Sequence, residues 1–332
     1  MSRLVLMTAV PALAVLLLCG CTQEKKQSEI RQLEKISFCQ GGHMALLVDM
    51  ALEKGYFAEE GLEAVIMKLG DGKSAMEAFL GGECTFGIMG DPPVVKQALV
   101  RDDFAVIASL SNSANSTKIL ARKDRGISEG RDLKGKRIGV KNGVSSQIFA
   151  ELYLKKKGIT LSEVTFQAMD LKDMPSALMT GDIDAYSSSN MYLLEGKRLL
   201  GDRAQVLSEP GFCLTNNYLT AKRELLAAQP ELTRRVMRAL AQAEKSLAEH
   251  PQEARALIGR ALKVSAADAE SILNEENHTL TLGQRQLDSL NMHAAWIAGR
   301  GTAEKKPLPD FHKLFDLAPL DSLRPGSATA GR

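Results

Sequence analysis

The residues best suited to chemistry in this sequence are hydrogen-bond donors and glycines. Gly143-Val144-Ser145-Ser146 joins a glycine turn to a helix start. Such a start offers free backbone N–H groups and a favourable dipole, so it suits an anion, and the two hydroxyls add donors. The plainer reading of the same residues is a serine N-cap. In Gln40-Gly41-Gly42-His43, two glycines let the backbone approach a ligand closely. His43 either donates to an anion or simply sits at a helix end. Asp91 of Gly90-Asp91 reads as an N-cap with Pro92 at N1. Facing a cleft, it would also favour a ligand with an N–H donor or positive charge. Ser188-Ser189-Asn190 supplies a second set of polar groups, or a solvent-facing loop. Phe212 and Tyr218 offer either a flat apolar wall or ordinary core. Ser111 and Asn112, after an expected strand at 104–110, complete the candidates.

Signatures of bond chemistry are missing from the sequence. Gly70-Asp71-Gly72-Lys73-Ser74 imitates the tail of a phosphate-binding loop, but Met67 stands where its first glycine belongs. There is no GxSxG nucleophile elbow, no HExxH and no CxxC. The five histidines are scattered at 43, 250, 278, 293 and 312. Cys39 and His43 have no third or fourth ligand nearby, so no zinc site and no cofactor are expected.

The elements that must position these groups form an internal repeat. A strand at 35–40 leads through Gly41-Gly42 into a helix at 44–54, which Gly55 stops. A strand follows at 64–68. Ser74 with Glu77 resembles a capping box opening a short helix that Gly81-Gly82 ends, before a strand at 84–89. The order recurs about one hundred residues later. There is a strand at 137–140, the turn Asn142-Gly143, a helix at 145–157 and a strand at 164–168. A short helix at 173–180 ends at Gly181, a strand runs 184–187, and Ser189 or Asn190 caps the next helix. The letters resemble each other too: Ala78-Phe79-Leu80-Gly81-Gly82-Glu83-Cys84 parallels Ala177-Leu178-Met179-Thr180-Gly181-Asp182-Ile183. Each half is a βαβαβ unit, whose helical crossovers predict parallel strands. Two such α/β lobes imply a ligand cleft at the carboxyl ends of their strands; the alternative is one continuous doubly wound domain. The expected lobes are 35–120 plus 217–315 and 121–216, connected through extended segments at 117–123 and 214–220. The segment 230–300 is helical, with Leu232, Val236, Leu240 and Leu247 on one face docked on the first lobe, and starts at Pro251, Ser265 and Leu282. Trp296 falls in an apolar pattern and reads as core. Residues 316–332 read as a flexible tail.

The N-terminus has a separate purpose. One charge, Arg3, precedes an apolar run at 4–18, too short to span a bilayer, which reads as a secretory signal over 1–20. Leu18-Cys19-Gly20-Cys21 resembles a bacterial lipobox. The resemblance implies cleavage before Cys21 and its lipidation, with Thr22 at the second mature position pointing to the outer membrane of a Gram-negative cell. The polar stretch at 21–34 would be the tether. A net charge of +2 provides no basic stripe for nucleic acid. The remaining chain suits two domains of roughly 100–200 residues. Of five cysteines, Cys39, Cys84 and Cys213 would remain, enough for one disulfide at most. Cys84 reads as a buried thiol.

With these residues in view, the chain resembles the nitrate, sulfonate, taurine and thiamine-precursor binding proteins of ABC importers. Ala51-Leu52-Glu53-Lys54-Gly55-Tyr56-Phe57, Glu60-Gly61-Leu62 and Gly90-Asp91-Pro92-Pro93 carry the likeness. So do Asp132-Leu133-Lys134-Gly135-Lys136-Arg137-Ile138-Gly139-Val140, Gly181-Asp182-Ile183-Asp184-Ala185 and His250-Pro251-Gln252-Glu253-Ala254. It extends over roughly 35–315. It implies a type II periplasmic-binding-protein fold and capture of a small polar or anionic solute by lobe closure, without bond chemistry. The implied partners are the solute, an ABC permease with its ATPase, and the membrane through a lipid anchor; the implied state is a monomer in the cell envelope. Many members carry a Trp-acid-Pro segment where this chain has Ser187-Ser188-Ser189-Asn190-Met191-Tyr192, a hydroxyl-rich surface in place of an aromatic wall. The difference weakens carry-over of a ligand from the sulfonate or taurine members and leaves sulfonate, nitrate or bicarbonate, and pyrimidine-like solutes as the candidates. Two other readings accompany this one. The first is a lipid-anchored sensor without transport. The second is an enzyme like the pyrimidine synthases of thiamine biosynthesis, whose cysteine-rich CCCFC segment is absent here.

Overall fold

The computed structural model describes residues 33–42, 44–300 and 308–326. The expected signal at 1–20, the lipidation site Cys21, the tether as far as residue 32, and His43 lie outside the described residues.

Runs of β-branched and aromatic residues, punctuated by glycine, set the strands and the helices between them. The first half forms β1 (Glu34–Gly41), β2 (Leu62–Leu69), β3 (Phe86–Met89) and β4 (Phe104–Ser113). Between and after them come α1 (Leu46–Glu53), α2 (Tyr56–Glu59), α3 (Gly72–Gly81) and α4 (Asp91–Ala98). After β5 (Thr117–Arg122) the scheme repeats with β6 (Arg137–Val140), α5 (Ser145–Lys156), β7 (Thr165–Ala168) and α6 (Met174–Thr180). It continues through β8 (Ala185–Ser189), α7 (Asn190–Leu200) and β9 (Ala204–Leu207). Beyond β10 (Thr215–Lys222) the chain is helical: α8 (Arg223–Ala228), α9 (Pro230–Glu249), α10 (Pro251–Leu262), α11 (Ala266–Glu275), α12 (Gln284–Ala298) and α13 (Ala318–Leu323).

Two five-stranded sheets result, ordered β2-β1-β3-β10-β4 and β7-β6-β8-β5-β9. The repeat read in the sequence therefore holds strand for strand. Neighbours joined by helical crossovers are parallel, with Phe38 opposite Phe86 and Ile138 opposite Ala185. The expectation of wholly parallel sheets fails at one strand in each. β10 is antiparallel to β3 and β4, and β5 is antiparallel to β8 and β9. The expected connections at 117–123 and 214–220 are in fact mostly these two strands, and the chain crosses at 114–116 and 208–214. β4 ends at the junction of the lobes and β5 starts there. β5 must then run away from the junction while its neighbours run towards it, and β9 and β10 repeat this in the opposite sense.

The first sheet is packed by Phe38, Phe57, Phe79 and Phe86, and Leu232, Val236, Leu240, Leu287 and Leu290 bring α9 and α12 to the same core. In the second sheet, alternate residues face opposite layers, as strand geometry requires. Ile119 and Ala185 meet Phe149 and Leu154, whereas Leu120 and Tyr186 meet Leu178 and Leu193.

Local structure corrects several expectations. The cap of α3 is Asp71, whose Oδ1 accepts the Ser74 N–H at 2.9 Å, so this helix starts before the expected Ser74 box. The expected tail forms α13, with Leu320 buried; residues 327–332 lie outside the described residues. Cys84 is not a free thiol: it is bonded to Cys39, with the two Cα atoms 5.6 Å apart. The pairing follows from β1 and β3 being neighbours, which spacing along the chain cannot show. Cys213 is free and buried. Burial first, and the nearby Asp91 second, push its thiol up to about 12.

Candidate ligand-binding cleft

Four helices begin where strands of the two sheets end: α1 after β1, α4 after β3, α5 after β6 and α7 after β8. Their N-caps are Ala45, Gly90, Val144 and Ser189, and none makes a side-chain cap. By contrast, α3 and α11 are capped by Asp71 and Ser265. A start without a side-chain cap keeps its first N–H groups available to another acceptor. Two expected caps are thereby corrected. Asp91 is the first residue of α4, after its cap Gly90, and Ser145 is the first residue of α5, after its cap Val144.

In the second lobe the α5 start is shaped by Gly143, at φ +78°, whose N–H donates to Gln147 Oε1 at 2.7 Å. Ser146 is 7% exposed and its Oγ has no partner, while Ser145 is half-buried. β8 lies beside β6, so Ser187, Ser188 and Ser189 end at the same edge of the lobe. Ser187 and Ser188 are buried, and Ser187 Oγ also lacks a partner. Asn190 opens α7, with its side chain outside the described residues.

In the first lobe Gln40 is buried at the end of β1. Gly41 is required by packing more than by ligand approach: a Cβ there would lie 2.5 Å from Gly72 Cα. Gly42, at φ +71°, makes the turn that follows. The Asp91 carboxylate is fully buried, and four donors converge on it. They are the Asn216 N–H at 2.9 Å, Asn216 Nδ2 at 3.0 Å, the Tyr218 hydroxyl at 3.0 Å and the Ser289 hydroxyl at 2.7 Å. It joins α4, β10 and α12 in the core and has no surface to offer a ligand. Tyr218 is likewise core, as is Phe212, whose ring meets Phe149 edge-on at 6.2 Å with Lys156 Nζ 4.7 Å from its centroid. Ser111 donates to Glu276 Oε2 at 3.1 Å, and Asn112 is buried. Asn217, on β10 opposite Ser111, is 9% exposed and its Nδ2 has no partner.

Side chains cross between the lobes on both flanks. Lys141 Nζ lies 3.4 Å from Asp71 Oδ2. Lys96 of α4 reaches Gly143, where an added Cβ would meet its Nζ at 2.9 Å. Trp296, expected in the core, is half-exposed and donates from Nε1 to Glu151 at 2.9 Å; Arg300 pairs with the same carboxylate. On the other flank Lys118 pairs with Glu275. A cavity of about 50 Å³ adjoins that pair, walled largely by Leu193, Leu194, Val206 and Ile272, and none of the candidate residues lines it.

A family model described as NMT1/THI5 like matches residues 41–254. The chain belongs to this family. A protein of Brucella abortus named as a binding protein is 26% identical over 258 residues, covering 75% of this chain and 78% of that one. A 4-amino-5-hydroxymethyl-2-methylpyrimidine phosphate synthase of Aspergillus parasiticus is 28% identical over 219 residues, covering 62% and 63%. Among solved structures, the periplasmic aliphatic sulphonate binding protein SsuA of Escherichia coli superposes with a TM-score of 0.71 at 17% identity, covering 86% of this chain and 92% of that one. The fold is the two-lobed α/β fold of those periplasmic binding proteins.

Within this NMT1/THI5-like chain, Asn217, Gln147, Lys96 and Glu151 belong to the cleft and its flanks but escape a reading of the sequence. Asn216-Asn217 carries a usable signal, because two consecutive asparagines inside a strand run against β propensity. Gln147 and Glu151 carried none, since polar residues four apart on a helix read as its solvated face.

Proposed function

We propose that this protein captures a small anionic solute between its lobes, outside the cytoplasm, and delivers it to an ABC importer. The observation that carries the reading is Ser146: a buried hydroxyl without a partner, at an uncapped helix start. Ser187 Oγ and Asn217 Nδ2 are further buried groups free to donate to acceptor oxygens. Lys96, which makes no ion pair among the described residues, adds positive charge beside Gly143. Sulfonate, nitrate and bicarbonate fit such a donor set. A cationic pyrimidine would call for a carboxylate, and that of Asp91 is already taken by internal donors. The relative named as a binding protein and the sulphonate-binding fold neighbour support capture as the activity. The synthase relative shows that the family also hosts enzymes, so the site and not the fold decides. Here the one free cysteine among the described residues is buried, with its thiol held far from ionisation.

Export, lipidation at Cys21, an outer-membrane address and a monomeric state belong to the same proposal. The first three rest on the lipobox-like residues 18–21 and on Thr22, the address being the outer membrane in a Gram-negative cell and the outer face of the cell membrane otherwise. The Cys39–Cys84 disulfide supports an oxidising compartment.

Exchanging Ser145 and Ser146 together for Ala tests the site. Capture of an anionic ligand should weaken by about 1–3 kcal/mol, read by calorimetric titration. Unchanged affinity would remove the pair from the site.

A further inference from the structure

We propose that Glu151 is a positioning residue that couples the anion-holding turn of the second lobe to docking of the first; the inference rests on the binding reading above. Gly143, Gln147 and Glu151 are spaced four apart, on one stripe leading into and along α5. The Gly143 N–H donates to Gln147 Oε1 at 2.7 Å, and Gln147 Nε2 donates to Glu151 Oε1 at 3.0 Å. From the first lobe, Trp296 donates to Glu151 Oε2 at 2.9 Å and Arg300 pairs with Oε1. Trp296 lies in the last turn of α12 and Arg300 just beyond it, and Leu287, Leu290 and the Ser289–Asp91 hydrogen bond fix this helix to the first lobe. Gln147 and Glu151 are each 5% exposed, although neither belongs to an apolar cluster. Trp296 and Arg300 cover the Glu151 carboxylate from the first lobe, so separating the lobes would return it to water.

The chemistry of the chain gives it a direction. An ionised carboxylate only accepts hydrogen bonds, so Glu151 forces the NH₂ end of Gln147 towards itself. The carbonyl end of Gln147 must then face Gly143, where it holds the left-handed turn that leaves the N–H groups of the α5 start for an anion. Docking therefore organises the turn, and by linkage an anion on the turn favours docking.

Trp296 is the only tryptophan in the chain, so its fluorescence reports on this contact. In Glu151→Gln, acrylamide quenching of Trp296 should at least double and the radius of gyration from X-ray scattering should grow. Far-UV circular dichroism should stay unchanged. Titration with ethanesulfonate should show affinity lowered about tenfold, and saturation with it should restore the wild-type radius. Should Glu151→Gln fail to fold, Arg300→Met reads the same quenching and radius. Unchanged quenching and radius would overturn the proposal, as would a larger radius with wild-type affinity. Growth of the radius in a protein whose wild type ignores ethanesulfonate would support the docking contact and overturn the anion reading.

Discussion

Asp91→Ala should lower the unfolding free energy by about 2–4 kcal/mol, because it removes the shared acceptor of several buried donors. The carboxylate is fully buried and accepts from Asn216 twice, from Tyr218 and from Ser289. Truncation strands the Asn216 donors where water does not reach, while the Ser289 and Tyr218 hydroxyls keep Leu214 O at 3.0 Å and Gln286 O at 3.4 Å. Each stranded group carries a desolvation penalty of about 1–3 kcal/mol, not fully additive. Tyr218 remains a donor throughout, because burial first and the carboxylate second hold its phenol far above the ordinary range. Tyr218→Phe removes one donor and leaves the acceptor satisfied by the others, so its loss should be nearer 1 kcal/mol. Urea unfolding of both variants gives the comparison. A loss below about 1 kcal/mol in Asp91→Ala would mean that α4, β10 and α12 are held together by their apolar contacts alone.

The disulfide supports the second large effect. Cys39 and Cys84 close a loop with a sequence separation of 45, for which chain entropy gives a stabilisation of about 4 kcal/mol. Cys84→Ser should lose about that amount in urea, and reductant should impose a similar loss on the unmodified protein. Both cysteines are buried in the first core with Phe38 and Phe86, so the Ser hydroxyl adds a desolvation cost of its own, and reductant on the unmodified protein isolates the share of the bridge. Equal stability with and without reductant would show that the bridge is not formed in solution.

Much of the fold is legible in the sequence because local signals agree with tertiary ones. Strand β6, helix α5 and the stop at Gly181 follow from apolar runs and a left-handed glycine. The βαβαβ repeat follows because its letters recur. β5 and β10 read as linkers for a physical reason: no helix flanks their entry, so nothing local tells a linker from a strand whose partners lie in another part of the chain. Trp296 reads as core because an apolar helical pattern does not distinguish a core from the facing lobe. The candidate site was half legible. Glycine and serine at the start of α5 announce themselves. Asp91 and Tyr218 have the composition of a site, but their hydrogen bonds close on one another, which only the packing of β10 against α4 reveals. Glu151 has the composition of a solvated surface and is buried by a helix some 140 residues further along the chain.

Capture of an anion by lobe closure is tested by calorimetric titration of the protein with ethanesulfonate, nitrate and bicarbonate, beside a neutral aminopyrimidine, with X-ray scattering on each saturated sample. Binding of one anion with a smaller radius of gyration is the expected result, since a ligand bridging both lobes favours the docked form. Binding of the pyrimidine alone, or of an anion with no change in radius, would contradict it.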